Sequence, residues 1–140
     1  MKKYLLIILI TGLCGFCPVS VAFSQTRADD IVGYYFAYDP RTNERNQMEI
    51  FRLANGTYDA KVVWVENKSL SHQIGRTPVR NLSFDPKNDD WRNGKVTVNG
   101  KDYSMTANFT DDGRLRLRGF LGVSLLGKTV YWTKETELRK

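Results

Sequence analysis

The sequence predicts an all-β domain: a small antiparallel up-and-down β-barrel of about eight strands. Three observations predict it. Apolar and polar residues alternate with period two along most of the chain, compact turn dipeptides separate the alternating runs, and no stretch beyond the N-terminal segment keeps a helical period. Hairpins in series leave two exposed sheet edges, and closing the sheet on itself removes both.

Eight candidate strands run near residues 31–38, 47–53, 57–65, 79–84, 94–98, 102–109, 114–120 and 129–134. The first carries the run Tyr34-Tyr35-Phe36. In the second the alternation fails at Ile50-Phe51, where a bulge is expected. In the third, Tyr58, Ala60, Val62 and Trp64 alternate with Asp59 and Lys61. The fourth precedes a charged loop at 85–90 that contains Pro86. In the fifth, Val96 and Val98 alternate with Lys95 and Thr97. The sixth is the most regular, with Tyr103, Met105, Ala107 and Phe109 set against Asp102, Ser104, Thr106 and Asn108. In the seventh, Leu115 and Leu117 alternate with Arg114, Arg116 and Arg118. Asn55-Gly56, Asn99-Gly100 and Asp112-Gly113 suit type I′ hairpin turns, which need positive φ at both central residues. Asn93-Gly94 reads as a fourth such turn. Residues 66–78 read as a mixed polar loop, and 121–127 as a tight apolar connection or a short helical turn.

The N-terminus has the form of a secretory signal. Lys2 and Lys3 precede the apolar stretch 4–16, and Ala22-Phe23-Ser24 offers a cleavage site before Gln25. Spanning a bilayer takes about 20 consecutive apolar residues; here Gly12, Gly15, Pro18 and Ser20 interrupt the run. Cys14 and Cys17 follow the large Leu13 and Phe16, which disfavours lipidation. The expectation is therefore a signal peptide over 1–24, a barrel domain over 25–140, export to the periplasm or beyond, and no transmembrane span after cleavage. Both cysteines leave with the signal, so the mature domain relies on packing without disulfides. Its charge falls from +6 to +4 as the two lysines leave. Nucleic acid is an unexpected partner in that compartment.

Catalysis has little to work with. His72 is the single histidine and sits among Ser69, Ser71 and Gln73 without a nucleophile motif, as a solvated loop residue would. One histidine and no mature cysteine exclude a typical zinc site. Asp29-Asp30, Asp89-Asp90 and Asp111-Asp112 are adjacent pairs at strand ends or in turns, where aspartate serves backbone hydrogen bonding. No enzyme activity and no cofactor are expected. The arginines at 114, 116 and 118 share one strand face. They form an anion-binding row if that face lines a cavity, and a solvated face if Leu115 and Leu117 point to the core.

Several blocks resemble the bacterial family DUF2147: Trp91-Arg92-Asn93-Gly94-Lys95-Val96, Lys101-Asp102-Tyr103-Ser104, Leu117-Arg118-Gly119-Phe120-Leu121-Gly122, and Leu126-Gly127-Lys128-Thr129 with Trp132-Thr133. Ile31-Val32-Gly33-Tyr34-Tyr35 and Lys61-Val62-Val63-Trp64 extend the likeness through the N-terminal half. The chain departs from the pattern at Tyr35, where the family commonly has Trp, and matches its central segment loosely through residues 76–82. The resemblance implies an exported envelope protein with a lipocalin-like (calycin-type) barrel, and no activity. Gly33-x-Tyr35 is similar to the Gly-x-Trp that opens lipocalin barrels, where the aromatic plugs one end against a late-strand basic residue. By that analogy Tyr35 and Arg118 form the plug.

Two functions follow. One is binding of a small amphipathic or lipid-like ligand, apolar or anionic, with Trp64, Trp91, Tyr103 and Trp132 lining the open end and Arg118 meeting an acidic head group. The alternative is a solid barrel whose loops or basic face contact an envelope protein or an anionic surface.

Overall fold

The computed structural model describes residues 27–40, 42–98, 100–121 and 125–140. The chain divides into two compact units, Met1–Ile31 and Val32–Lys140. In the first, the described residues form a 3-10 turn at Asp29–Ile31, with Arg27 paired to Asp30 at 3.2 Å. The expected signal peptide and its cleavage site lie outside the described residues.

The second unit is a closed antiparallel barrel. Its strands are β1 (Gly33–Asp39), β2 (Glu44–Arg52), β3 (Tyr58–Val65), β4 (Val79–Asp85), β5 (Asp90–Val98), β6 (Lys101–Phe109), β7 (Leu115–Leu121) and β8 (Leu125–Glu135). Each strand pairs with the next, and β1 pairs with β8 through Tyr34↔Glu135, Tyr35↔Lys134 and Phe36↔Thr133. All eight strands that the alternation predicted are present. Period-two burial explains why: on β3, Tyr58, Ala60 and Val62 are buried and the residues between them are half-exposed.

The differences lie in turns and bulges. At 55–56 and 112–113 only the glycine has positive φ, +88° and +86°. The bonds Gly56 N–H to Leu53 C=O (3.0 Å) and Leu53 N–H to Thr57 C=O (2.8 Å) define a type I turn closed by a left-handed glycine, and Thr110, Gly113 and Arg114 repeat it. This is the longer-loop solution to the same strand twist that a type I′ turn meets in two residues. Asn93-Gly94 is not a turn at all but part of β5. Asn93 sits at φ +62°, and the β5–β6 register shifts between Trp91 and Gly94, so the dipeptide is a bulge. A Cβ on Gly94 would lie 2.6 Å from Leu82 Cδ2 and 2.7 Å from Met105 Cγ; the glycine lets β4 and β6 side chains meet over β5.

The bulge expected at Ile50-Phe51 is absent there. The β2–β3 register instead shifts between Gln47 and Met48, against the extra residue Val63. Residues 66–78 contain a 3-10 turn, Lys68–Gln73, capped by the Asn67 side chain. The segment returns along β3, with Val62 N–H bonded to Arg76 C=O (2.9 Å) and Gly75 N–H to Val62 C=O (2.8 Å). Strand structure also extends into the 121–127 connection, since β7 ends at Leu121 and β8 begins at Leu125.

Candidate functional site

Antiparallel pairing fixes which residues share the interior at each end. At one end, the closed end, the ladder brings together Tyr35, Ile50, Tyr58, Trp91 and Leu115, each at most 1% exposed. Trp91 packs against Phe84 (ring centroids 5.0 Å apart) and edge-on against Phe109 (5.6 Å), and Tyr35 lies 6.2 Å from Trp132. Aromatic pairs at such tilted geometries are favourable beyond their buried area. Lys134 follows Val130 and Trp132 on the inward side of β8 and completes this end. Its ammonium lies 5.8 Å from the Tyr35 ring and 5.6 Å from Phe109, and its Cε sits against Gly33.

Among the described residues, the other end, the mouth, carries smaller side chains, with Val65 and Val79 buried and others half-buried. Two residues beyond Tyr35 the inward position is Ala37, opposite Asn46, and Asn46 in turn faces Val65 on β3. Across the barrel Val96 pairs with Val79 and Tyr103. Ala37, Asn46, Val96 and Tyr103 are all half-buried. Asn46 Oδ1 is enclosed and accepts no hydrogen bond. A buried amide oxygen without a donor costs about 1–3 kcal/mol.

The five aromatic and basic residues expected to line a ligand site do not converge. Trp91 and Trp132 belong to the closed-end core. Tyr103 faces the mouth. Trp64 points outward, because the Val63 bulge places it opposite Gln47 on the outer wall. Arg118 is exposed on the outer wall of β7, opposite Thr106 and Thr129, while the intervening Leu117 is buried. Tyr35, the expected plug, is fully buried at the closed end with Lys134 beside its ring, while Arg118, its expected partner, lies on the outer wall of β7. The reason is strand parity: Leu115, Leu117 and Gly119 occupy the inward positions of β7, which sends Arg114, Arg116 and Arg118 to the outside. Lys134 was reachable from the sequence by extending the β8 alternation two residues past Trp132. Asn46 was not, because a polar residue on an inward register looks like any strand-edge asparagine.

The outer wall of β1, β2 and β3 is covered by residues 136–140, which continue from β8. Gln47 is fully buried there. Its Nε2 donates to Glu135 Oε1 (2.9 Å) and to Glu137 C=O (2.8 Å), and its Oε1 accepts from Arg139 N–H (2.9 Å). The Arg139 guanidinium lies over the Phe36 ring (4.7 Å) and the Trp64 ring (5.1 Å) and pairs with Glu135 through two nitrogens. Trp64 Nε1 donates to Lys140 C=O at 3.1 Å. Glu135 is held below the ordinary carboxylate range, chiefly by the Arg139 hydrogen bonds, against the opposing effect of burial and with help from Gln47.

Three other carboxylates are lowered, each by an identifiable neighbour: Asp102 mainly by the Thr97 hydroxyl and then Arg80, Asp112 mainly by the Thr110 hydroxyl, and Asp85 mainly by the Asn88 amide. His72 is exposed on the 3-10 turn Lys68–Gln73. Among the described residues no group of three or more histidine, cysteine or acidic side chains gathers to hold a metal ion, and no helix among them is long and apolar enough to cross a membrane.

A family profile described as an uncharacterized protein conserved in bacteria (DUF2147) matches residues 33–134. No curated protein matches the chain. Among solved structures, a Helicobacter pylori protein, HP1028, described as belonging to the lipocalin family, superposes with a TM-score of 0.60 at 18% identity. The match covers 77% of this chain and 84% of that one. The chain belongs to the DUF2147 family, and its fold is that of a lipocalin-like barrel.

Proposed function

We propose that this DUF2147 barrel is a binding protein of the bacterial envelope, exported by its N-terminal segment, that holds a small amphipathic molecule at the mouth. The observation that carries the reading is the contrast inside the barrel among the described residues: the closed end is filled by large aromatics, while the mouth presents Ala37, Val96 and Tyr103 half-buried, together with the Asn46 amide oxygen that lacks a donor. Small ligand sites are mostly apolar with a few placed polar groups, and a barrel of about eight strands has room for one small ligand where side chains do not fill it. The ligand has an apolar body and a head group that donates a hydrogen bond to Asn46. An acidic head group loses the residue expected to meet it, since Arg118 lies outside the barrel.

Native mass spectrometry of the protein isolated from its own cells without detergent tests this. The expected result is a discrete added mass that disappears on denaturation, and its loss in Ala37→Trp, which fills the mouth, with the melting temperature retained. A bare mass that persists after incubation with envelope lipid extract would leave a solid barrel and redirect the search to protein partners.

A further inference from the structure

The outer wall of β6, β7 and β8 differs from the rest of the barrel surface in its charge. Arg116 and Arg118 hold outward positions on β7 and Arg114 immediately precedes the strand on the same face, about 6.6–6.8 Å apart at two-residue spacing. They are flanked by Thr106 and Asn108 on β6 and by Thr129 and Tyr131 on β8. No carboxylate occupies these flanking positions. Arg114 is offset by Asp112 in the adjoining turn, at 2.9 Å, and lies over the Tyr131 ring at 4.5 Å. Arg116 is half-buried between Asn108 and Tyr131, and its Nε is enclosed without a hydrogen-bond acceptor. Around the rest of the barrel cations and carboxylates are interspersed, as in Arg45 with Glu66 and Arg92 with Asp90, and at the margins of this wall Arg80 pairs with Asp102 of β6 and Arg139 with Glu135 of β8.

We propose that this wall docks the protein on a membrane surface rich in anionic phospholipid. Guanidinium groups match phosphate geometry and shed water more readily than an ammonium does. Tyr131, 44% exposed, supplies an aromatic body with a polar tip, the kind of side chain that settles at a headgroup layer. Among the described residues the patch is threonine, asparagine and arginine around one tyrosine, a composition without the apolar centre of a protein–protein interface. A convex barrel wall also offers little shape for a folded partner to match, whereas a sheet of phosphates needs only charge. The net charge of +4 that remains without Lys2 and Lys3 acts in the same direction. This docking is independent of any ligand at the mouth.

The test is co-sedimentation of the protein, as purified from its own cells, with vesicles of phosphatidylcholine alone and of phosphatidylcholine mixed with phosphatidylglycerol. Binding is expected only to the mixed vesicles and is expected to fall as salt is added. Arg116→Gln with Arg118→Gln lowers it about thirty-fold, at roughly a factor of five for each cation at an anionic surface. Arg116→Lys with Arg118→Lys retains most of it, which separates charge from folding. Arg76→Gln with Lys87→Gln removes two exposed charges elsewhere and leaves it unchanged. Equal loss in that control would reduce the effect to net charge and overturn the proposal. So would equal binding to both vesicle types, or binding insensitive to salt and to the Arg116 and Arg118 changes, as attachment through apolar N-terminal residues would give. Competition by inorganic phosphate too dilute to screen charge would point instead to a discrete phosphate site, and would also overturn it.

Discussion

At the closed end of the barrel Tyr35, Tyr58 and Trp91 are enclosed almost completely and Lys134 covers the Tyr35 and Phe109 rings. At the mouth, on the same sheet a few residues further along, Ala37, Val96 and Tyr103 are half-buried and an amide oxygen lacks a partner. What differs among the described residues is side-chain volume and burial, and the proposed division of labour rests on that difference.

The largest expected effect tests the closed end. Trp91→Ala removes the ring that Phe84 and Phe109 pack against and should cost about 3–5 kcal/mol; urea unfolding of the two proteins measures it. A loss below about 1 kcal/mol would mean the closed end is not the stabilising core.

The waist between the two ends comes next. Gly94→Ala forces a methyl into Leu82 and Met105, and the overpacking should cost about 1–3 kcal/mol, read from the same unfolding curves. A neutral result would show that β4 and β6 separate easily at the bulge, and that the core is looser than its contacts suggest.

A smaller effect concerns the seam beside the closed end. The Glu135 carboxylate is held below its ordinary value of 4.5 by Arg139 first and Gln47 after it. A lowered value in the folded state means the stabilisation is complete above the ordinary carboxylate range and is lost as pH falls through the folded value. Melting temperature should therefore fall on going from about pH 7 to about pH 3, and Glu135→Gln should fall less across that window because it has nothing left to protonate. If the two slopes coincide, the 136–140 segment does not depend on that ion pair.

The smallest effect on stability is expected at the mouth, and there its sign matters more than its size. Asn46→Leu replaces an amide with an unpartnered oxygen by an apolar side chain of similar size, so stability should be unchanged or slightly higher. Retention of a bound amphiphile in native mass spectra should fall. Clear destabilisation would instead mean that Asn46 is part of the packed core, and the contrast between the ends would lose its polar marker.

Much of the fold was legible in the order of residues alone. Strand number and strand order follow from alternation, which also placed Arg114 and Arg116 on the face opposite Leu115 and Leu117; the burial of the two leucines then sends the arginines outward. The misread positions share one cause. Asn93-Gly94 has the composition of a hairpin turn, and a bulge uses the same left-handed residues; only the pairing of β5 with both β4 and β6 distinguishes the two. Trp64 alternates correctly with Tyr58, Ala60 and Val62 until the extra residue Val63 reverses its parity, and a bulge of one residue leaves no mark in the sequence that a strand would not also carry.

The sequence by itself determined an all-β chain of eight short strands with a family-specific set of aromatic and glycine positions, since these depend on neighbours within two or three residues. The tertiary structure decided which basic residue meets Tyr35, which tryptophan faces outward, and that residues 136–140 return over Gln47, Phe36 and Trp64. Those contacts join residues about 90 positions apart, such as Gln47 and Glu135 with |i−j| of 88. Local alternation says nothing about them, because they exist only once the sheet has closed and brought its first and last strands side by side.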